Sequence, residues 1–477
     1  MHWLFKRLHQ SWMFVSLCAG IIAGTILMLV FRWNFFASPI WILFVVILFG
    51  FAFVRPNRLF LIIVFLAGII LAAFRASVDL AGEDFVSQLA GQKVTISGMV
   101  AEDPDVDETA TTVKLTNLKI GELEEKGVVF VQFSGEKNEI QRSDVLTLSG
   151  EISEGFGSFA GAMYRPKIES IARPEPGDIF LNLRNWFAEK VAQNIPEKES
   201  ALGLAYLLGM KNGLPDEVLE DLRLVGLTHI VVASGTHLGI IVGLTKKLFG
   251  KLSKFAGFLF SILFVLVFGG IIGWTASILR AAIVTILSLT AWYAGRKFEA
   301  WRILLIAAAT TLVINPMFLT NLGWLLSFGA FGGIMLLAPI VIKFFFGEKK
   351  PGKLSEIVIA TISAQLLCVP ILLYYFGTIS LISVVANLLI LPTIPFAMGL
   401  TFLTGVFEFV PFLGMILGKI TTFLLDYHLM VMNFFAEQKM FLIEIPPYNP
   451  LVFLLFIPVI VPFIIFLIKN RKKNSPK

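Results

Sequence analysis

Residues 12–31 read WMFVSLCAGIIAGTILMLVF, a stretch without one charged side chain. The hydrocarbon core of a bilayer is about 30 Å thick, and a helix needs roughly 20 apolar residues to cross it. Two further apolar runs follow at residues 35–54 and 59–74. A cleaved signal peptide has a shorter apolar region, about 7–15 residues. The three runs therefore predict retained membrane spans.

The composition of the whole chain agrees with a membrane protein. Of its 477 residues, 57% are hydrophobic and only 15% are charged, whereas soluble domains carry about 25% charged residues. The two cysteines, Cys18 and Cys368, both lie inside apolar runs. An ordinary soluble enzyme is therefore disfavoured, and a disulfide framework and a zinc site built from paired cysteines are excluded.

The character of the sequence changes between residues 76 and 176. Short runs with alternating apolar residues replace the long apolar ones, and turn residues such as Asp103-Pro104-Asp105 separate them. Five short segments in about a hundred residues predict a small inserted β-barrel of the oligonucleotide-binding (OB) type. The predicted strands are residues 93–101, 111–120, 127–133, 145–152 and 167–172.

A second apolar block begins at residue 226. Residues 379–410 are apolar but are broken by Pro392 and Pro395, which predicts a re-entrant or broken hairpin. Residues 412–435 mix Lys419, Asp426 and His428 with Phe and Leu, and predict a helix at the surface. The other runs of the block predict full spans at residues 226–244, 255–272, 277–293, 302–314, 322–346, 355–376 and 451–468.

The predicted fold class is a predominantly α-helical polytopic membrane protein with an inserted OB-like β-barrel. About ten spans and one broken hairpin are expected. The predicted domains are N-terminal transmembrane helices (1–75), an extracytoplasmic β-domain (76–176), interfacial and amphipathic helices (177–225) and a polytopic membrane domain (226–477).

Charge separates these parts of the chain. Residues 76–176 contain 9 Lys and Arg and 18 Asp and Glu, a net charge of −9, whereas the remainder carries +15 and the whole chain +6. The basic residues recur in every second loop, and Lys and Arg prefer cytoplasmic loops. Both termini are therefore predicted in the cytoplasm and the β-domain outside it. An acidic domain is a poor general binder of phosphate backbones, which are held by Lys and Arg.

The densest polar group in the apolar segments is residues 228–237, THIVVASGTH. His229 and His237 would be about 12 Å apart on an unbroken helix, too far to ligate one zinc ion unless Ser234-Gly235 breaks it. Three interpretations stay open. The polar groups bond neighbouring helices, line a translocation path, or form an intramembrane enzyme around His229, Ser234 and His237.

Three more polar side chains are candidates for a site. Arg280 lies near the end of a predicted span, where its guanidinium either reaches the headgroups or contacts a phosphate. Gln365 and Asn387 precede prolines, as in the broken helices of transporter sites, although local repair of a kink is equally consistent. The sequence has no phosphate-binding glycine loop and no HExxH or GxSxG motif, so we expect no cofactor, no metal and no catalytic residue.

Ordered motifs in the second block resemble one known family. Residues 226–238 read GLTHIVVASGTHL, similar to the signature GLxHLLAxSGxHL of the ComEC family's competence domain. Further similar motifs stand in order downstream: SILRA at 277–281, GR at 295–296, NP at 315–316, LLSFGA at 325–330, AQL at 364–366, YFG at 375–377 and ANL at 386–388.

This resemblance implies a channel that imports single-stranded DNA across the cytoplasmic membrane during natural transformation. The partners it implies are single-stranded DNA, membrane lipids, a separate nuclease, a DNA receptor, a cytoplasmic translocase and further copies in a homo-oligomer. The nuclease is expected from another protein because no metallo-β-lactamase-like domain, which many family members carry, precedes Lys477. A transporter of another polyanion or of a small solute is the alternative. Carried over by motif, the channel residues are His229, Ser234, Gly235, His237, Arg280, Ser327, Gln365 and Asn387.

Overall fold

Long apolar helices and one small β-barrel make up the protein, as a computed structural model shows. Its contacts divide the chain into two units, a first unit of Met1–Glu189 and Ala233–Trp324 and a second unit of Lys190–Val232 and Leu325–Lys477. The structure describes residues 11–32, 36, 38–54, 58–106, 109–121, 123–135, 139–231, 235–296, 299–347, 349–380, 382–438 and 442–456.

Seven helices in these ranges are long and apolar enough to cross a membrane, and a bent helix pair adds an eighth if it counts as one span. The predicted polytopic α-helical architecture is confirmed. The number of about ten spans is not confirmed: the predicted spans at 35–54, 226–244 and 302–314 are not among the seven, and most of 451–468 lies outside the described residues. The seven helices are Ser11–Phe31, Phe60–Gln88, Lys254–Ile272, Ala276–Tyr293, Leu322–Phe346, Lys353–Phe376 and Pro411–Ala436.

The first three helices are α1 (Ser11–Phe31), α2 (Ile40–Val54) and α3 (Arg58–Gln88). Gly20 of α1 and Gly68 of α3 lie where the two helices touch, and a methyl group at Gly20 would overlap the carbonyl oxygen of Phe65. Small residues allow this close approach of helix backbones. α3 continues well past residue 74, where the predicted apolar run ends.

Strands β1 to β8 form the predicted barrel. β1 pairs with β3, β3 with β5, β5 with β7, β7 with β6, and β6 again with β1, so the sheet closes on itself. Only β5 and β7 run parallel. A closed five-stranded ring of this kind is OB-like. The strands are β1 (Lys93–Val100), β2 (Asp105–Val106), β3 (Ala110–Ile120), β4 (Leu123–Glu125), β5 (Val129–Ser134), β6 (Val145–Glu154), β7 (Gly161–Tyr164) and β8 (Lys167–Ala172).

The barrel core consists of the inward side chains of alternating residues. On β3, Val113 and Leu115 are buried while Lys114 between them is partly exposed. Leu146 and Leu148 repeat this pattern on β6. The strand that closes the ring, β7, was not predicted. It has only four residues, with small Gly161 and Ala162, so it gives no visible alternation.

The remaining helices are α4 (Ile179–Ala192), α5 (Glu197–Leu208), α6 (Asp216–Leu224), α7 (Thr228–Val231), α8 (Gly235–Phe249), α9 (Lys254–Ile272), α10 (Ala276–Tyr293), α11 (Ala300–Ile314), α12 (Leu322–Gly332), α13 (Ala338–Phe346), α14 (Lys353–Phe376), α15 (Ser383–Ile390), α16 (Ile394–Val406) and α17 (Pro411–Ala436). Two short strands, β9 (Thr378–Ser380) and β10 (Leu442–Glu444), pair in the second unit.

The structure corrects one prediction for the second unit. Residues 412–435 were expected at the surface, but α17 packs against α5, α6, α15 and α16, and His428 is fully buried. Asp426, two residues earlier, is exposed. The predicted break in residues 379–410 is present, because α15 and α16 meet at an angle of 48°.

Candidate functional site

The polar stretch at residues 228–237 is divided between two helices. The described part of α7 is Thr228–Val231 and that of α8 is Gly235–Phe249, and residues 232–234, Ser234 among them, lie outside the described residues. Gly235 is the first described residue of α8.

Arg280 of α10 lies beside Gly235 of α8. A methyl group placed on Gly235 would be 3.7 Å from Arg280 Nη2, although the two residues are far apart in sequence. At their other ends α8 and α10 also meet, where Lys246 Nζ is 4.1 Å from the ring centre of Trp292. The two helices therefore run parallel, and both N-terminal ends lie at one end of the group formed by α8, α9 and α10.

This end of the three helices concentrates positive charge. A helix N-terminus behaves as roughly half a positive charge, and Arg280, on the second turn of α10, is only 5% exposed. His237 is buried as well, with its ring stacked on Phe268 of α9 at 6.2 Å between centres. A guanidinium fork matches the geometry of phosphate oxygens.

Arg142 of the β-domain offsets the partial negative charge at the C-terminal end of α9. Its guanidinium donates hydrogen bonds to the carbonyl oxygens of Gly270 and Ile271, at 3.0 and 3.3 Å, in the last turn of α9. The same group forms a salt bridge of 2.9 Å with Asp178. Because a helix C-terminus is partially negative, this contact offsets the end charge of α9.

Asp178 is held in its ionised form by this junction. Its Oδ1 accepts a hydrogen bond from Leu181 N at 3.0 Å, which caps the beginning of α4, and its Oδ2 accepts one from Ser143 Oγ at 3.1 Å. Burial alone would raise the pKa of Asp178, but the Leu181 amide, the Arg142 cation and the Ser143 hydroxyl outweigh it and lower the pKa.

A second polar group lies among the helices of the second unit. Gln365 Nε2 on α14 donates to Ser383 Oγ at 2.7 Å, and that hydroxyl donates to Ser380 O at 2.7 Å. Gly226, with φ of +72°, packs so closely on Ser383 that a methyl group would lie 2.8 Å from its Cβ. Gly226, the first residue of the motif at residues 226–238, therefore contacts Ser383, the hydrogen-bond partner of Gln365.

The other predicted residues have different surroundings. Asn387 on α15 is buried, and its Oδ1 has no hydrogen-bond partner among the described residues. His229 is exposed, with Nδ1 3.1 Å from Gly226 O, and Ser327 is half-buried on α12. The structure thus brings Gly235 and Arg280 together in the first unit, where His237 packs on Phe268, and Gln365 with the Gly226 turn in the second.

An aromatic cluster on the β-domain was missed by the sequence predictions. Phe130 on β5 lies 5.2 Å from Phe156, 5.4 Å from Phe159 and 6.2 Å from Tyr164, measured between ring centres. Phe156 and Tyr164 are 46% and 52% exposed. The loop between β6 and β7 that carries Phe156 and Phe159 corresponds to the loop between strands 4 and 5 of an OB fold, a common nucleic-acid contact.

Within the part of the chain that the structure describes, no group of three or more His, Cys, Asp or Glu side chains could hold a metal ion.

The sequence matches the family model described as competence protein over residues 206–471. ComE operon protein 3 of Bacillus subtilis (strain 168) is 29% identical over 223 residues, which cover 44% of this chain and 27% of that protein. A protein of Aquifex aeolicus (strain VF5) described as uncharacterized is 25% identical over 275 residues, 55% of this chain and 64% of its own length. The chain thus covers less than two thirds of either relative. No solved structure matches it.

Proposed function

The chain belongs to the competence protein family, whose model covers more than half of its residues, and from this premise we propose that it imports single-stranded DNA across the cytoplasmic membrane. The role is that of a multi-pass channel and not of an enzyme. The observation that carries the proposal is that Arg280, a buried arginine, lies next to Gly235 of the motif at residues 226–238. His229, Ser234, Ser327, Gln365 and Asn387 remain proposed channel residues on the family resemblance.

Arg280 would contact the phosphates of the strand. A phosphodiester has two non-bridging oxygens, which share one negative charge and match the guanidinium fork. The ring of His237 lies in the same group of helices. These contacts are independent of base identity, as import of arbitrary sequence requires.

The aromatic cluster of the β-domain would contact the bases. Base stacking on an aromatic ring contributes about 1–3 kcal/mol per base and tolerates every base. Exposed Phe156 and Tyr164 offer two such rings. The domain's net charge of −9 disfavours a phosphate clamp there, so the expected division is stacking on the β-domain and phosphate contact at Arg280.

The charges of the first unit favour an orientation with the β-domain outside the cytoplasm. Arg142 joins the β-domain to the end of α9 that lies next to the beginning of α10. Lys246 and Lys254 lie at the opposite end of the same helices. Basic side chains favour the cytoplasmic side, so Arg280 would lie at the outer end of the channel.

The proposal is tested in a transformable host that lacks its own competence-family protein. Labelled duplex DNA is followed into a DNase-resistant internal pool in cells that express this chain or the Arg280→Gln variant. A hydrogen bond to a charged group contributes about 1.5–3 kcal/mol, so the variant is expected to import about ten-fold to a hundred-fold less DNA. The matched control is Arg296→Gln, an exposed arginine that follows the other end of α10.

Equal uptake with and without the unmodified chain would overturn the proposal, as would equal losses in Arg280→Gln and Arg296→Gln. A second measurement addresses other polyanions. Binding of single-stranded oligonucleotide and of inorganic polyphosphate to the purified protein in nanodiscs is compared at several salt concentrations, since phosphate contacts make affinity salt-dependent. Binding of polyphosphate but not of oligonucleotide, together with no DNA uptake by the cells, would mean that the substrate is another polyanion.

A further inference from the structure

Four lysines surround the short turn between α8 and α9. The first two lie in the last turn of α8, the third lies in the turn itself, and the fourth is the first residue of α9. The two helices are joined next to the turn, because Thr245 Oγ1 on α8 lies 2.8 Å from Ser261 Oγ on α9. The four residues, called the turn lysines below, are Lys246, Lys247, Lys251 and Lys254.

Two aromatic rings at the end of α10 hold two of the turn lysines in place. Lys246 Nζ lies 4.1 Å from the ring centre of Trp292, and Lys254 Nζ lies 5.6 Å from the same centre and 5.8 Å from that of Tyr293. The face of an aromatic ring attracts a cation. A side chain that is already held loses less conformational entropy when it binds a ligand, and each ammonium group has three hydrogens to donate. The two groups are therefore prepared to bind one anion.

The positive charge of this turn has no carboxylate beside it. The sequence contains no Asp or Glu between residues 222 and 298, and Glu299 pairs with Arg302 at 3.0 Å. Among the described residues, no salt bridge involves a turn lysine. The C-terminal ends of α8 and α10 each contribute roughly half a negative charge, which the beginning of α9 partly offsets. Four lysines outweigh these helix ends, so the surface attracts an anion from outside the chain.

Exposed apolar side chains stand next to the same lysines. Leu248, Leu252 and Phe255 each directly follow a turn lysine in the sequence, and all three are exposed. Leu259 and Leu263 continue the exposed apolar surface from Phe255 at intervals of four residues along one face of α9. Because α9 is long and apolar enough to cross a membrane, its first residue lies at the boundary between headgroups and hydrocarbon. A ligand at this place meets ammonium groups beside an apolar surface, as the phosphate and the acyl chains of a phospholipid require.

We propose that the turn between α8 and α9 binds an anionic phospholipid. Lys246 and Lys254 would donate hydrogen bonds to the phosphodiester, and an acyl chain would lie along the face of α9 that carries Leu259 and Leu263. The other two turn lysines would add to the attraction without a fixed position. In the orientation proposed above this is the cytoplasmic leaflet, whose anionic lipids attract basic segments. The inference goes beyond the proposed function and does not depend on which polyanion the chain transports.

Native mass spectrometry of the full-length protein measures this binding. The protein in neutral detergent is titrated with phosphatidylglycerol, which is anionic, and with phosphatidylcholine of the same acyl chains, which has no net charge. The unmodified chain is expected to retain phosphatidylglycerol in preference to phosphatidylcholine. In Lys246→Gln/Lys254→Gln the affinity for phosphatidylglycerol should fall about ten-fold to thirty-fold. Lys246→Arg/Lys254→Arg keeps both charges and should keep the preference, which separates loss of charge from a disturbed fold.

The matched control is Lys350→Gln/Lys353→Gln, which removes two exposed lysines at the beginning of α14 and should leave the affinity unchanged. Unchanged retention of phosphatidylglycerol in Lys246→Gln/Lys254→Gln, or equal losses in the two glutamine variants, would overturn the proposal.

Two competitors identify other anions. Inorganic phosphate and a single-stranded oligonucleotide are added separately to the lipid-bound protein, and neither should displace phosphatidylglycerol more than sodium chloride of the same ionic strength does. Displacement by phosphate would mean that the acyl chains are not recognised. Displacement by the oligonucleotide, with weaker oligonucleotide binding in Lys246→Gln/Lys254→Gln, would make the turn a nucleic-acid surface. Either result contradicts a phospholipid site.

Discussion

The junction of the β-barrel and the helices of the second unit bury polar side chains in opposite ways. At the junction the buried groups are charged and paired: Arg142 with Asp178, Asp144 with Arg173, and Arg184 with Asp103. In the second unit they are neutral, as in Ser383, Asn387, Thr401, Thr404 and Thr421. A buried ion pair is stable only when both charges are present, whereas a neutral hydroxyl can bond to the carbonyl one turn earlier on its own helix.

The difference predicts where substitutions have large effects. Removal of one member of a buried ion pair leaves an uncompensated charge, so single changes at the junction should be severe. Hydrogen bonds between membrane helices contribute only about 0.6 kcal/mol on average. Single polar changes inside the second unit should therefore have small effects on stability, and some should be favourable.

The largest effect is expected for Arg142→Ala. The change leaves Asp178 buried without its cation and exposes the last carbonyl groups of α9, and the expected loss in the free energy of unfolding is about 3–5 kcal/mol. The measurement is unfolding by SDS in mixed micelles, followed by tryptophan fluorescence.

Lys119→Ala is the control for Arg142→Ala in the same domain. Lys119 and Glu124 form an ion pair in which both side chains are mostly exposed, 61% and 74%. Exposed pairs contribute about 0–1 kcal/mol. Equal losses in the two variants would show that the buried junction stabilises the protein no more than a surface pair does.

The next effect depends on pH and concerns Asp178→Asn. The folded protein holds the pKa of Asp178 below its ordinary value of 3.8, so the carboxylate stabilises the fold above about that pH. This stabilisation is lost as the pH falls through the lowered pKa of the folded state. Asparagine keeps an acceptor for Leu181 N, and Arg142 keeps its bonds to the carbonyl oxygens of α9. The loss at neutral pH should therefore be smaller than for Arg142→Ala, about 1.5–3 kcal/mol, typical of bonds to charged groups.

The difference between Asp178→Asn and the unmodified protein should then shrink as the pH is lowered below 3.8. SDS unfolding at a series of pH values measures it. A difference that is constant over that range would mean that the carboxylate charge is not what stabilises the junction.

The same contrast explains which parts of the fold were predictable from sequence. In the barrel, inward residues are apolar and outward ones are polar, so alternation revealed β1, β3, β5, β6 and β8. On α17 the buried residues recur every three or four positions, but Gly414, Gly418, Thr421 and His428 are among them. Small and polar residues face other helices in a membrane protein, so the rule that serves the barrel placed His428 wrongly at the surface.

The candidate site, too, could be predicted from the sequence only in part. The motif at residues 226–238 and the residue Arg280 were visible in the sequence because of the family resemblance. That Gly235 and Arg280 meet follows only from the parallel arrangement of α8 and α10, which no local pattern encodes. Arg142 is a single arginine in a loop, and its partners Asp178 and Gly270 are distant in sequence, so no periodicity could indicate it.

The smallest effects are expected within α16, where Thr401 and Thr404 have different bonding. Thr401 Oγ1 is buried and has no hydrogen-bond partner among the described residues. Valine has nearly the same shape, so Thr401→Val removes an unsatisfied hydroxyl and should raise the free energy of unfolding by about 1 kcal/mol, the low end of the penalty for such a group.

Thr404→Val should act in the opposite direction. Thr404 Oγ1 lies 3.0 Å from Thr421 Oγ1, and each hydroxyl also lies within hydrogen-bond distance of the carbonyl oxygen four residues earlier. Each hydroxyl has one hydrogen, so these bonds compete and the pair contributes little. The expected loss is about 0.6 kcal/mol, measured by the same SDS unfolding. Losses of equal size in both threonine variants would mean that Thr401 has a partner in the membrane-embedded protein, and the contrast between paired and unpaired hydroxyl groups in the second unit would fail.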